Sequence, residues 1–320
     1  MTDFPTFQPA FGIERDGDIF VDPALSSFES ADELAALERL LSIAREKDWR
    51  TAVSEVHGRT LLSYVDNPER LIFLPLLDLK PHHRILEIGP GLGQISLPIA
   101  RQVATMDALE VVRGQARFCA ERAKQEGIDN VRFTAGGNRC LLPYEDDSFD
   151  GVVFNLVLEW CGARQDGLTH EEAHMRLLKE IDRVRKPGGF VYLVTKNRFG
   201  LRCLTGGRDE HMGNMRFGSA LPRWLGSRMF GSDRQPGYLH SHNALAGMLQ
   251  RAGFNDLQSY WAAPEMRWPT KMIPLDGDVS GEKARGGFDL GESRRTAAIM
   301  RMLPGKMVKH FTPGHVFLAR

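Results

Sequence analysis

Three glycines at alternate positions, Gly89, Gly91 and Gly93, follow a short apolar run that carries a carboxylate, Arg84-Ile-Leu-Glu87-Ile, and precede a renewed apolar pattern through Ala100. Glycines in that spacing let the main chain turn sharply and approach a ligand where a Cβ would collide, and a following helix aims free N–H groups at the same point. Such a loop is suited to close ligand contact. A second acid, Glu110, ends the next apolar run, Thr105-Met-Asp-Ala-Leu-Glu. Candidates for proton transfer lie further on: His211, with His174, His240 and His242 as competitors, and Glu159. Trp160, Trp261 and Trp268 offer ring faces, and Arg198, Arg267 and Lys271 offer cations for a carboxylate or phosphate. Each has a plainer alternative: a solvated loop acid for Glu110, a cap or ion-pair carboxylate for Glu159, core packing for the indoles, a structural role for a lone histidine.

The elements that must position these groups follow from periodicity. Ser30-Ala-Asp-Glu33 has the form of a capping box, with Leu34, Leu37, Leu41 and Ala44 on one face behind it. Residues before about Leu25 are rich in Gly, Pro and Asp and are expected to form an irregular arm. Asn67-Pro68 opens a further helix through Leu77. Strands are then expected at Arg84 to Ile88, Thr105 to Glu110, Val131 to Thr134, Gly151 to Asn155, Phe190 to Thr195, Asp256 to Trp261 and His315 to Ala319, with helices from Val112 to Gly127, from Thr169 to near Arg185 and from Ser241 to Gly253. That is a seven-stranded α/β sheet.

The chain has 320 residues, of which 42% are apolar, enough for a sizeable core. Forty-one basic residues against forty-one acidic ones leave no net field to draw phosphate backbones or anionic membranes, which disfavours a nucleic acid or membrane partner. Four scattered cysteines without a Cys-x-x-Cys pair indicate neither a zinc site nor a disulfide framework, so no metal is expected. The N-terminus lacks a charged head followed by an apolar core, and a cytoplasmic location is expected, with a homodimer left open.

The spacing Gly-x-Gly-x-Gly with Glu87 two residues upstream departs from the nicotinamide fingerprint Gly-x-Gly-x-x-Gly and resembles motif I of class I S-adenosylmethionine-dependent methyltransferases. The resemblance implies a Rossmann-like sheet and S-adenosyl-L-methionine as cofactor. It gives Glu87, Gly89, Gly91 and Gly93 the amino-acid end of that cofactor and Glu110 both ribose hydroxyls. Gly137-Asn138 to Leu142-Pro143 resembles the family's Gly-Asp…Leu-Pro around the adenine, with Asn138 in place of the aspartate. Asn155, ending the fourth strand, falls on the side of the transferable methyl; the run Asn155-Leu-Val-Leu is not the Asn-Pro-Pro-Tyr of base-amine methylation.

Later motifs resemble a bacterial subfamily found alone or fused to glycosyltransferases. Asn197, Gly200, Leu201, Gly206, His211, Ala252, Gly253, Phe254, Pro264 and Pro269 match its pattern, whereas Lys196, Glu265 and Met266 depart from it. The implied organisation is an N-terminal arm and helical segment (1–78), a cofactor-binding core (79–195), an insertion or lid (196–240), a core helix and strand (241–261), a second insertion on the acceptor side (262–314) and a closing strand (315–320). Long insertions in compact domains are usually binding loops. The acceptor is therefore expected among Trp160, Asn197, Arg198, Glu265, Arg267 and Trp268, with His211 or Glu159 as base. The chemistry is in-line displacement at a sulfonium methyl, for which the protein must hold a nucleophile about 3 Å from the carbon and exclude water. A small-molecule acceptor, methylated at O, S, N or C, is the leading reading. The alternatives are methylation of RNA or protein, a catalytically silent cofactor-binding scaffold, and a nicotinamide oxidoreductase.

Overall fold

The computed structural model describes residues 3–25, 29–162, 167–212, 214–222, 237–264, 266–281 and 294–320. The chain divides into two compact units, Met1–Val153 with Glu180–Phe190, and Phe154–Lys179 with Val191–Arg320.

The first unit holds β1 (Glu14–Asp16), β2 (Ile19–Val21), α1 (Ala31–Glu46), α2 (Trp49–His57), α3 (Arg59–Val65), α4 (Leu74–Leu77), β3 (Arg84–Ile88), α5 (Ser96–Ala100), β4 (Thr105–Glu110), α6 (Arg113–Gln125) and β5 (Val131–Ala135). Its strands run in the order β1-β2-β5-β4-β3. β3, β4 and β5 pair in parallel, Glu87 opposite Ala108 and Glu110 opposite Ala135. Every residue of β4 is buried, as expected of a parallel strand covered on both faces. Burial there includes Asp107, paired with Arg132 at 2.5 Å. That pair is tied to the N-terminus, since Arg132 also donates to the Pro5 carbonyl and lies over the Phe7 ring.

Three expectations for this region are corrected. The arm before Leu25 is not irregular throughout: β2 pairs in parallel with β5, Phe20 opposite Thr134. α1 carries both halves of its capping box but buries Leu37, Leu40 and Ala44, leaving Leu34 exposed. The buried stripe faces Trp49, Val53, Val65 and Phe118, and the first turn lies beyond their reach. The segment after Asn67 is a 3₁₀ turn opened by Pro68, Pro68–Leu71, followed by the separate four-residue α4, because Pro75 has no amide hydrogen to carry the ladder onward.

β6 (Phe149–Asn155), α7 (His170–Val184) and β7 (Arg185–Lys196) run through the division between units. The second unit adds α8 (Leu201–Leu204), β8 (Arg208–Asp209), β9 (Met215–Arg216), α9 (His242–Ala252), β10 (Leu257–Ala263), β11 (Lys271–Pro274), α10 (Arg294–Met302) and β12 (Gly314–Ala319). β7, β12, β10 and β11 pair antiparallel in that order, Val194 opposite Val316 and Tyr260 opposite Pro274. Trp261 is 3% exposed in an apolar cluster with Leu201, Ile273, Met300 and Val308, which makes it core rather than a ligand face. Among the described residues the sheet has ten strands, not seven. The additional ones are β1, β2 and β11, three or four residues each and too short to carry a periodic signal. The fold class is α/β and Rossmann-like. No described helix is long and apolar enough to cross a membrane.

Candidate functional site

In the first unit the glycine loop leaves β3 with all three glycines at positive φ, 74° at Gly89, 58° at Gly91 and 80° at Gly93. Gly89 donates to the Leu109 carbonyl, so the loop starts against the end of β4. A Cβ at Gly93 would meet the Cys119 sulfur at 3.4 Å and Leu97, which gives this glycine a packing role. α6 fixes the loop from behind: Cys119 Sγ lies 3.2 Å from the Gly91 carbonyl, and Arg122 donates to the Leu92 carbonyl at 2.8 Å. Neither residue was singled out by sequence reasoning, because their partners are main-chain atoms about thirty positions away.

Glu110 ends β4 buried, its Oε2 accepting from the Gly91 N–H at 3.0 Å and its Oε1 from Val112 N–H at 3.1 Å. A carboxylate has about four acceptor positions, so each oxygen keeps room for a hydroxyl donor. Burial pushes the carboxyl up to about 7, against the pull of its backbone donors. Glu87 is likewise buried and accepts from the Ser96 hydroxyl; burial pushes it up to about 7, with Ser96 and the Arg70 charge opposing. Asn138 lies half-buried in the turn after β5. Asn155, at the end of β6 and counted with the second unit, has a buried Oδ1 with no hydrogen-bond partner among the described residues.

The second unit contains a cavity of about 620 Å³. His211 lines it from a 3₁₀ turn, Glu210–Met212, directly after β8. Its Nδ1 lies 3.3 Å from Asp209 Oδ1, which also accepts the His211 N–H at 2.9 Å. Its Nε2 is buried without a hydrogen-bond partner among the described residues, 3.9 Å from Glu159 Oε1 and 4.0 Å from Glu210 Oε1. The Trp160 ring leans on the imidazole at 4.7 Å, and a Cβ at Gly237 would come within 2.6 Å of it, so the chain passes close only because that position is glycine. Burial raises the Asp209 carboxyl, but the hydrogen bonds from His211 outweigh it and hold the group below its usual value. This is a base oriented by an acid, the arrangement expected of a proton acceptor. Asp209 was missed in the sequence, although its spacing of two from His211 was visible.

The remaining candidates separate. Glu159 is buried and accepts from Thr195 Oγ1 at 2.7 Å. Asn197 lines the cavity but spends its amide on the main chain, donating to His310 and Thr312 carbonyls and accepting from Phe199 N–H. Arg198 donates to the Ser219 and Leu221 carbonyls and is not among the cavity residues. Arg267 and Trp268 line the cavity, Arg267 paired with Glu210 at 2.6 Å. Glu265 lies outside the described residues. The competing imidazoles are held elsewhere: His174 Nδ1 and His240 Nε2 are 2.8 Å apart, and burial pushes His174 down to about 3 and His242 down to about 4.

A parallel α/β unit opening on a glycine loop with an acid at the end of the next strand defines a nucleotide-type cofactor domain. Residues 86–193 match the family model described as Methyltransferase domain. Among curated proteins the chain is 30% identical over 149 residues to the biotin biosynthesis bifunctional protein BioHC of Cellvibrio japonicus, 45% of this chain and 27% of that one. It is 31% identical over 115 residues to methyltransferase GfsG of Streptomyces halstedii, 35% and 37% of the two lengths. Against the demethylmenaquinone methyltransferase of Thermobifida fusca it is 26% identical over 227 residues, 70% and 78% of the two lengths. The matches to the first two thus span less than half of either relative. The cofactor of this domain is S-adenosyl-L-methionine. The site fits it: a glycine loop at positive φ, and a buried carboxylate at the strand end with acceptor capacity to spare.

Proposed function

We propose that the chain is an S-adenosylmethionine-dependent methyltransferase whose acceptor is a small molecule held in the cavity of the second unit. The observation that carries this reading is His211: a buried cavity residue oriented by Asp209, its Nε2 without a hydrogen-bond partner among the described residues. Bound to the first unit, the cofactor supplies a methyl already activated by its sulfonium leaving group. Glu87 and the three glycines bind its amino-acid end, Glu110 its ribose, Asn138 its adenine, with Asn155 on the methyl side. His211 takes the proton of an acceptor hydroxyl, Asp209 steadies the imidazolium, Trp160 backs the imidazole and Trp268 covers the acceptor. The residue stretches 196–240 and 262–314 are the acceptor side. The small-molecule reading is supported by relatives named for biotin biosynthesis and demethylmenaquinone and by a sequence whose opposite charges cancel.

The test is transfer of tritium from labelled S-adenosylmethionine into the small-molecule, RNA and protein fractions of a cell extract. Label is expected in the small-molecule fraction, with loss on His211→Ala and undiminished cofactor binding. Label in RNA or protein alone would overturn the small-molecule reading, and binding without any transfer would point to a silent scaffold.

A further inference from the structure

The cavity holds an ion cluster that narrows the acceptor class, an inference resting on the proposed function above. Lys196 and Arg267 both pair with one atom, Glu210 Oε1, the second at 2.6 Å. The same oxygen lies 4.0 Å from the unpartnered Nε2 of His211. Two cations and a base therefore converge on a single carboxylate oxygen. The Glu210 side chain is 42% exposed and sits on a one-turn 3₁₀ segment. Arg202 and Arg208 also line the cavity, so its described lining carries four cations and the two carboxylates of Asp209 and Glu210, in a chain with no net charge. A lining richer in cations than in acids favours an anionic guest.

We propose that the acceptor is a small hydroxy acid, its carboxylate taking the place of Glu210 between Lys196 and Arg267 and its hydroxyl, a few bonds away, donating to His211 Nε2. The carboxylate of Glu210 is then a resident stand-in that an incoming acid displaces. Lys196 and Arg267 supply charge-assisted hydrogen bonds, the kind that distinguish an acid from its neutral analogue. In the transfer the acceptor O–H bond breaks, its proton passing to His211 Nε2. The oxygen bonds the methyl carbon as the carbon–sulfur bond breaks, its electron pair remaining on sulfur.

The probes are salicylate, which carries a hydroxyl beside a carboxylate, and phenol, which lacks the acid. Each is titrated into the full chain by calorimetry without cofactor. Salicylate is expected to bind about tenfold or more tighter than phenol, the scale of one charge-assisted contact. Lys196→Gln and Arg267→Gln should each remove most of that preference with phenol binding unchanged. Glu210→Gln, nearly isosteric, should tighten salicylate about threefold to tenfold, because it removes a competing anion. Circular dichroism melting confirms that each variant is folded. Equal binding of the two probes, binding of neither, or no gain from folded Glu210→Gln would overturn the proposal. Cofactor titration is scored separately: a chain that takes up S-adenosylmethionine but shows no preference for salicylate sinks the hydroxy-acid reading alone, whereas salicylate binding without cofactor uptake sinks the methyltransferase reading.

Discussion

Exchanging Asp209 for Asn tests the proton-transfer arrangement without changing its shape. Asp209 Oδ1 and His211 Nδ1 are 3.3 Å apart in a buried site. Unit charges at that separation attract by about 5 kcal/mol at an effective dielectric of 20, so the carboxylate stabilises the imidazolium formed as the acceptor loses its proton. An amide retains a hydrogen bond but forfeits most of that attraction, and solvent reaching the cavity reduces the loss to about 3 kcal/mol. The turnover of labelled S-adenosylmethionine should fall about 100-fold, within the usual worth of general base catalysis. Cofactor affinity should not change, since Asp209 is not among the residues proposed to bind the cofactor and its carboxylate is engaged by His211. An unaltered rate, or a loss expressed entirely in cofactor affinity, would refute the assignment.

Three further outcomes are expected. Glu110→Ala should weaken S-adenosylhomocysteine binding by about 1–3 kcal/mol, the loss of hydrogen bonds to a charged group, read by calorimetry. Burial pushes the Glu110 carboxyl up to about 7, so below that pH a proton must leave before the ribose hydroxyls can donate. Affinity in the native chain should therefore fall at least about tenfold per unit below pH 7 and level off above it, and Glu110→Gln should make the profile shallower, leaving the part owed to Glu87. The same raised values at Glu87, Asp107 and Glu110 mean that the folded chain binds more protons than the unfolded one between their ordinary values and about 7. Their contribution to stability is full below that window and is lost as pH rises through it, so urea midpoints of Glu110→Gln should depend less on pH than those of the native chain. Arg132→Met should destabilise by about 3–5 kcal/mol, since it strands a buried Asp107 carboxylate, and adding Asp107→Asn should recover part of the loss in the same urea titration.

Local signals were the legible ones. The capping box at Ser30, the caps at Ser241 and Gly253, the glycine loop and the acid closing β4 all depend on neighbours within a few residues, and each is where the pattern put it. The pairing of β2 with β5 joins segments more than a hundred residues apart through strands too short for periodicity. Cys119 and Arg122 act on main-chain carbonyls, which leave no mark in the identity of the residues they fasten. Asn197 matched a motif and was read as an acceptor contact, yet its amide is consumed by three main-chain groups. Asp209 and Glu210 were the readable omissions: they immediately precede His211 in the sequence, but only the fold brings Lys196 and Arg267 onto the Glu210 carboxylate.

The central claim is that Glu87, Gly89, Gly91, Gly93 and Glu110 form a receptor for an adenosyl sulfonium. Calorimetric titration of the purified chain with S-adenosylmethionine addresses it most directly. Saturable one-to-one binding is expected, weakened by Glu110→Ala and indifferent to His211→Ala; no heat with this compound or its demethylated product, alongside tight binding of NAD, would rule such a receptor out.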